Sequence, residues 1–273
     1  MPRSTPTTLA LPPFSGATRR LILIYVSVFF LEAILNLILP APLHGLIFGH
    51  LPLTPLDVVH GQVWQLVTYS FVPLGITGSL FAVLSLWFIG SMLEDVRGSR
   101  WLYELFFTSA IGGAVLASLI SFTHLFGLRP TSIAAGPISG IFGMLVAVAV
   151  LMGDIEFFLF FLFRIKAKYL VAIYVLIDIA QLLKTDNAFE ALIELSGGLC
   201  GFLLLRYFPR RGVAHVFTER WYALRNDYYR AKRRRAARKF EVYMSKQGRD
   251  VKFDKEGRYI DPDKDPNDKS WMN

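Results

Sequence analysis

The sequence predicts an all-α membrane protein: a six-transmembrane-helix bundle followed by a basic cytoplasmic helix. Three observations predict it. The chain of 273 residues is 53% hydrophobic, with 23 phenylalanines and a positive mean hydropathy, too apolar for an ordinary soluble domain of that size. Six apolar stretches are long enough, or nearly so, to cross about 30 Å of hydrocarbon at about 20 residues each. Lysine and arginine are sorted between the connections in alternation, as the positive-inside rule requires.

The first segment, 1–18, is rich in Pro, Ser and Thr and is expected to be disordered. The first apolar stretch, 21–39, follows Arg19 and Arg20 as a secretory signal would, but no small-residue cleavage site follows Leu39, so it reads as a retained helix. Next comes a connection over 40–65 with Trp64, His44, His50 and His60, several prolines and apolar residues throughout. A loop that apolar is expected to pack on the helices or dip into the interface. The remaining stretches are 75–93, 102–122, 135–153, 169–183 and 188–207; the fifth is short and carries Asp178 and Gln181. Cys200, the single cysteine, falls in the sixth, so an intramolecular disulfide and thiol-metal clusters are excluded.

Arg3, Arg19, Arg20, Arg97, Arg100, Arg164, Lys166, Lys168 and the tail fall on one side, against Arg129 and Lys184 on the other. Both termini are therefore expected in the cytoplasm, with the head of the fourth stretch near the outer face. The hydrophobic first helix, without an acid-poor amphipathic leader, favours a bacterial inner membrane. The chain divides into the segment 1–18, a membrane domain 19–208 and a tail 209–273.

Residues 208–273 hold 18 Lys or Arg against 10 Asp or Glu, a net +8 that equals the charge of the whole protein. Phe217, Trp221, Leu224 and Tyr228 recur at spacings of four, three and four, one face of a helix. Arg230, Lys232, Arg233, Arg234, Arg235, Arg238 and Lys239 follow on the same helix. Two readings stand side by side: an amphipathic helix with its cations on anionic lipid, at about 1 kcal/mol each, or a solvated helix whose charges fix topology. Nucleic acid is a disfavoured partner. A small hairpin is expected within 251–260.

The segment 135–143, Ala-Gly-Pro-Ile-Ser-Gly-Ile-Phe-Gly, places Ser139 between glycines at the head of the fourth stretch. Small residues at such a place serve close helix packing in lipid. Gly61-Gln62-Val63-Trp64-Gln65-Leu66-Val67-Thr68-Tyr69-Ser70-Phe71, Leu86-Trp87-Phe88-Ile89-Gly90 and Leu93-Glu94-Asp95-Val96-Arg97-Gly98-Ser99 stand in the order found in one family. From about Arg20 to Tyr207 the chain resembles the rhomboid intramembrane serine proteases.

That resemblance implies a serine nucleophile in a Gly-x-Ser-Gly motif, a helix-six histidine as base, and a histidine and an asparagine four apart as oxyanion donors. Ser139 and Gly140 match, but Pro137 stands in place of the first glycine. The base position falls on Glu194, three residues before the Gly197/Gly201 pair, and the donor positions fall on Gly78 and Ala82. An unassisted serine is a weak nucleophile. Loss of a triad member costs about 10⁴ to 10⁶ in rate, and loss of an oxyanion donor about 10² to 10³ more.

The expectation is therefore a pseudoprotease that binds transmembrane helices of client proteins, with the bilayer and anionic lipid as its other partners. The alternative is an active, atypical rhomboid serine endopeptidase with Ser139 as nucleophile. Glu194 reads either as a replacement base or as a neutral acid hydrogen-bonded to Ser139 or a backbone carbonyl, holding two helices together. A transporter built on Asp178 and Glu194 has weaker support. Metal-ligand, phosphate-loop and nucleotide motifs are missing from the sequence, so neither a cofactor nor a metal is expected.

Overall fold

A computed structural model describes residues 12, 14–159, 163–184, 187–207, 212–246, 252–253 and 259–260. It has two compact units, Met1–Gly212 and Val213–Asn273.

In the first unit, α1 (Gly16–Ile38) begins inside the segment expected to be disordered. Ser15 at its N-cap position makes no side-chain hydrogen bond. The exposed amides are satisfied from elsewhere: the Glu94 carboxylate accepts from Ala17 N (2.6 Å), Thr18 N (3.0 Å) and Thr18 Oγ1 (2.7 Å). Ala17, Thr18, Leu21, Ile22 and Tyr25 are buried at helical spacing, and Tyr25 Oη meets Ser79 Oγ of α5 at 3.0 Å.

The first connection is ordered by three short helices, α2 (Ala41–Phe48), α3 (Pro55–Val59) and α4 (Gln65–Thr68), and a 3₁₀ turn at Tyr69–Phe71. Prolines in the first turns of α2 and α3 supply the fixed φ that starts a helix at no cost in donors. The connection is tied down by backbone bonds. Leu53 and Ala134 exchange N–H···O bonds of 2.8 and 3.0 Å, Leu56 N donates to Pro130 O (2.9 Å) and Gly136 N to Tyr69 O (2.8 Å). It thus packs onto the segment entering the fourth long apolar stretch.

There follow α5 (Gly75–Arg97), α6 (Ser99–Ser121), α7 (Ile138–Leu151), α8 (Ala167–Leu183) and α9 (Ala188–Tyr207). Among the described residues, α1, α5, α6 and α9 have the length and hydropathy to cross a membrane. The other two are shorter, at 14 residues for α7 and 17 for α8. Between them lies an antiparallel hairpin, β1 (Glu156–Leu159) with β2 (Phe163–Lys166), which the sequence reading did not anticipate. At its base exposed Asp154 accepts from Lys168 Nζ (3.0 Å) and Lys166 Nζ (3.5 Å). The Lys168 bond and charge hold the Asp154 carboxyl below the usual carboxylate range.

In the second unit, α10 (Gly212–Lys246) carries the basic run, and β3 (Lys252–Phe253) pairs antiparallel with β4 (Tyr259–Ile260). The Phe240 and Phe253 rings meet edge to face at 6.1 Å.

Candidate functional site

Gly136, at φ 94°, turns the chain into α7, with Pro137 as its N-cap residue. Ser139 therefore sits in the first turn, 2% exposed, where α6, α7 and α9 meet. Its Oγ lies 3.2 Å from Ser109 O on α6 and 3.2 Å from Ile193 O on α9, and its one hydroxyl proton is donated to these two carbonyls. Within an α-helix those carbonyls face the residues four positions on, Gly113 and Gly197. A methyl at either glycine would overlap Ser139 Oγ. The two glycines are what let a side chain from a third helix reach main-chain oxygen.

The arrangement repeats one turn deeper with the roles exchanged. A methyl at Gly143 of α7 would overlap Ser109 Oγ and Cβ of α6, and one at Gly201 of α9 would lie 2.9 Å from Ser109 Oγ. Two layers result, each of one serine and two glycines: Ser139 with Gly113 and Gly197, then Ser109 with Gly143 and Gly201. Gly140 packs on the Phe106 ring and Gly198 on Phe142.

Tyr69 roofs the upper layer. Its phenol donates to Ala110 O (2.8 Å) and lies in hydrogen-bond range of Ser139. Burial pushes it up to about 12, against the opposing pull of the Ser139 and Ser70 hydroxyls, so it remains a donor at neutral pH. A cavity of about 30 Å³ remains beneath it, lined among others by Gly136, Ser139, Glu190 and Glu194. That volume accommodates about one water molecule.

Glu194 on α9 borders this cavity and a larger one. Asp178 on α8 lies beside it. Asp178 is 2% exposed, and its Oδ2 has no partner among the described residues. The larger cavity, about 430 Å³, lies between α5, α7 and α8; Gly78 and Ala82, the expected oxyanion positions, line it and offer no side-chain donor.

The histidines of the first unit lie elsewhere. His44 Nε2 is 3.5 Å from Glu32 Oε1 and its ring stacks on Phe48, while His50 and His60 are exposed in the first connection. His124 follows α6 and His215 lies on α10. A general base must come within about 2.6–3.2 Å of the proton it removes, directly or through one water. The Ser139 proton is held instead by carbonyls that cannot take it.

On α10, Arg230, Lys232, Arg233, Arg234 and Arg235 are exposed. Lys232 to Arg235 are consecutive, so at about 100° per residue they encircle the helix rather than share a face. The side chains of Arg238, Lys239, Phe217, Trp221 and Leu224 lie outside the described residues. No group of three or more His, Cys, Asp or Glu suited to a metal occurs among the described residues.

Tyr69, Ser109 and Gly113 were not singled out as parts of the site from the sequence, which paired Asp178 with Glu194 only as the basis of a transporter. The only local signal was the Ser109 to Gly113 spacing of one turn. The other contacts join residues far apart in the chain.

Comparison with known proteins follows the same lines. A family model described as eukaryotic integral membrane protein (DUF1751) matches residues 20–236. Rhomboid-like protein 19 of Arabidopsis thaliana is 29% identical over 153 residues, which cover 54% of this chain and 49% of that protein. The chain thus spans about half the length of the curated relative it matches. The eukaryotic family overturns the bacterial inner membrane favoured from the sequence. Hydropathy and charge sorting report that a chain is multi-pass, and they read alike in either kind of cell.

Proposed function

The chain belongs to the DUF1751 family of eukaryotic integral membrane proteins and is rhomboid-like, and from that premise we propose that it is a pseudoprotease: a six-helix rhomboid-type bundle that binds transmembrane helices of other proteins without cleaving them. One observation carries the reading. The hydroxyl at the nucleophile position is spent on the carbonyls of Ser109 and Ile193. The space beside it, about 30 Å³, is too small for a substrate backbone. On this reading α7 and α8 complete the six crossings, and both termini face the cytoplasm. The cavity between α5, α7 and α8 is the docking place for a client helix. The exposed cations of α10 engage anionic lipid.

Labelling of the purified protein with a serine-reactive fluorophosphonate tests the reading. No modification and no cleavage across a panel of single-span substrates is the expected result. Labelling that is lost in Ser139→Ala, together with cleavage, would establish the atypical protease instead.

A further inference from the structure

Glu194 and Asp178 are not used by Ser139, and an acid at membrane depth costs several kcal/mol unless something is gained from it. The two carboxyls stand side by side, so acidity at this depth is concentrated in one place that a cation would relieve. Three observations bear on what that acidity faces. Asp178 is 2% exposed and its Oδ2 is buried without a donor among the described residues. Glu194 is half-buried and supplies the one carboxyl in the lining of the 430 Å³ cavity. The rest of that lining is apolar or aromatic except for Ser85 and Tyr174, with no Lys or Arg to answer the acid.

The geometry points to an acidic recognition site: Glu194, in the wall of the cavity between α5, α7 and α8 and with Asp178 beside it, binds a transmembrane helix that carries a lysine or arginine at the same depth. A client cation brings charge complementarity to an otherwise apolar groove. A helix without one packs there through van der Waals contact alone. The inference rests on the helix-binding reading above and adds the chemistry of the client.

Depth fixes the register. α9 begins at Ala188, so Glu194 lies six residues, or about 9 Å, inside that end of the helix. A client cation is thus required roughly one third of the way through the hydrocarbon from the side of the α8–α9 connection. Glu190, one turn nearer that end and exposed, lines the other cavity.

The test uses the full chain in phosphatidylcholine nanodiscs and fluorescent leucine-alanine helices of 21 residues. Each has one guest residue at position six from the end that matches the α8–α9 connection. A lysine guest is expected to bind about tenfold more tightly than a leucine guest. Moving the lysine to position six from the opposite end should abolish the gain. In Glu194→Gln the lysine preference should fall below twofold while leucine-guest affinity is kept, which shows that the bundle is intact; Asp178→Asn should behave likewise. Equal binding of lysine and leucine guests to the native protein, or a preference that survives both substitutions, overturns the acidic site and leaves helix binding standing. Failure of every guest helix to bind overturns the helix-binding reading itself.

Discussion

Ser139 and Ser109 are the same device used twice: a small hydroxyl set where two facing helices carry glycine. The layering makes a prediction that a nucleophile would not. Gly143→Ala places a methyl against Ser109 Oγ and Cβ, an overpacking expected to cost about 1–3 kcal/mol. Ser109→Gly removes those atoms, so the double variant Ser109→Gly/Gly143→Ala should recover most of the loss, a coupling readable by thermal unfolding in detergent. Ser139→Ala removes one shared hydrogen bond and should cost only about 1 kcal/mol. If Ser109→Gly fails to rescue Gly143→Ala, the layer is not held by that contact. Of these residues, Ser139, Glu194 and the Gly197/Gly201 pair were legible because they sit at motif spacings on single helices. The place of Tyr69 over Ser139 was not, since no local pattern encodes a meeting of residues from distant segments, and Asp178 and Glu194 were paired only as two acids at membrane depth.

Among the elements, the long helices were readable within a few residues because hydropathy over about 20 positions reports burial in lipid. Their ends were less so. The stretch 135–153 yields α7 only over Ile138–Leu151, since Gly136 in a left-handed turn and Pro137 delay its start. The hairpin of β1 and β2 was missed because the apolar run 157–163 at its centre has no period from which to tell strand from helix. The join of α1 to α5 was hidden as well: Glu94 was quoted as part of a family motif, and its role is to cap a helix more than 70 positions earlier in the chain. Its Oε1, which accepts Ala17 N, also receives Ser99 Oγ. Glu94→Ala leaves two α1 amides and the Thr18 hydroxyl without their acceptor and should cost about 2 kcal/mol. Limited proteolysis should then cut first near the start of α1. An unchanged cleavage pattern would mean that α1 is held by its apolar face alone.

At the scale of the whole molecule, its excess charge resides in the tail beyond α9, while the membrane part is balanced. With cations encircling α10 between Lys232 and Arg235, engagement of lipid should depend on headgroup charge and not on one orientation of the helix. In nanodiscs containing about 30% phosphatidylserine, tryptic cleavage at these positions is expected to slow several-fold relative to pure phosphatidylcholine, and 0.5 M salt should erase the difference. Equal cleavage in both lipids would favour a solvated helix whose charges only fix topology. The salt bridge at Asp154 has a further consequence, because on the proposed topology its exposed charges belong on the water side of α7. On the six-crossing reading proposed above, with α7 taken along the membrane normal and Leu151 at one boundary, the helix acts as a plumb line: Ser139, about 18 Å from Leu151, would lie about 12 Å beneath the opposite boundary of a 30 Å hydrocarbon layer. A fluorophore on Ile138→Cys, in a Cys200→Ala background, should be quenched most by nitroxides placed partway down the acyl chain rather than at the headgroup. On that sounding the upper serine lies submerged, reached from the side by lipid sooner than from above by water.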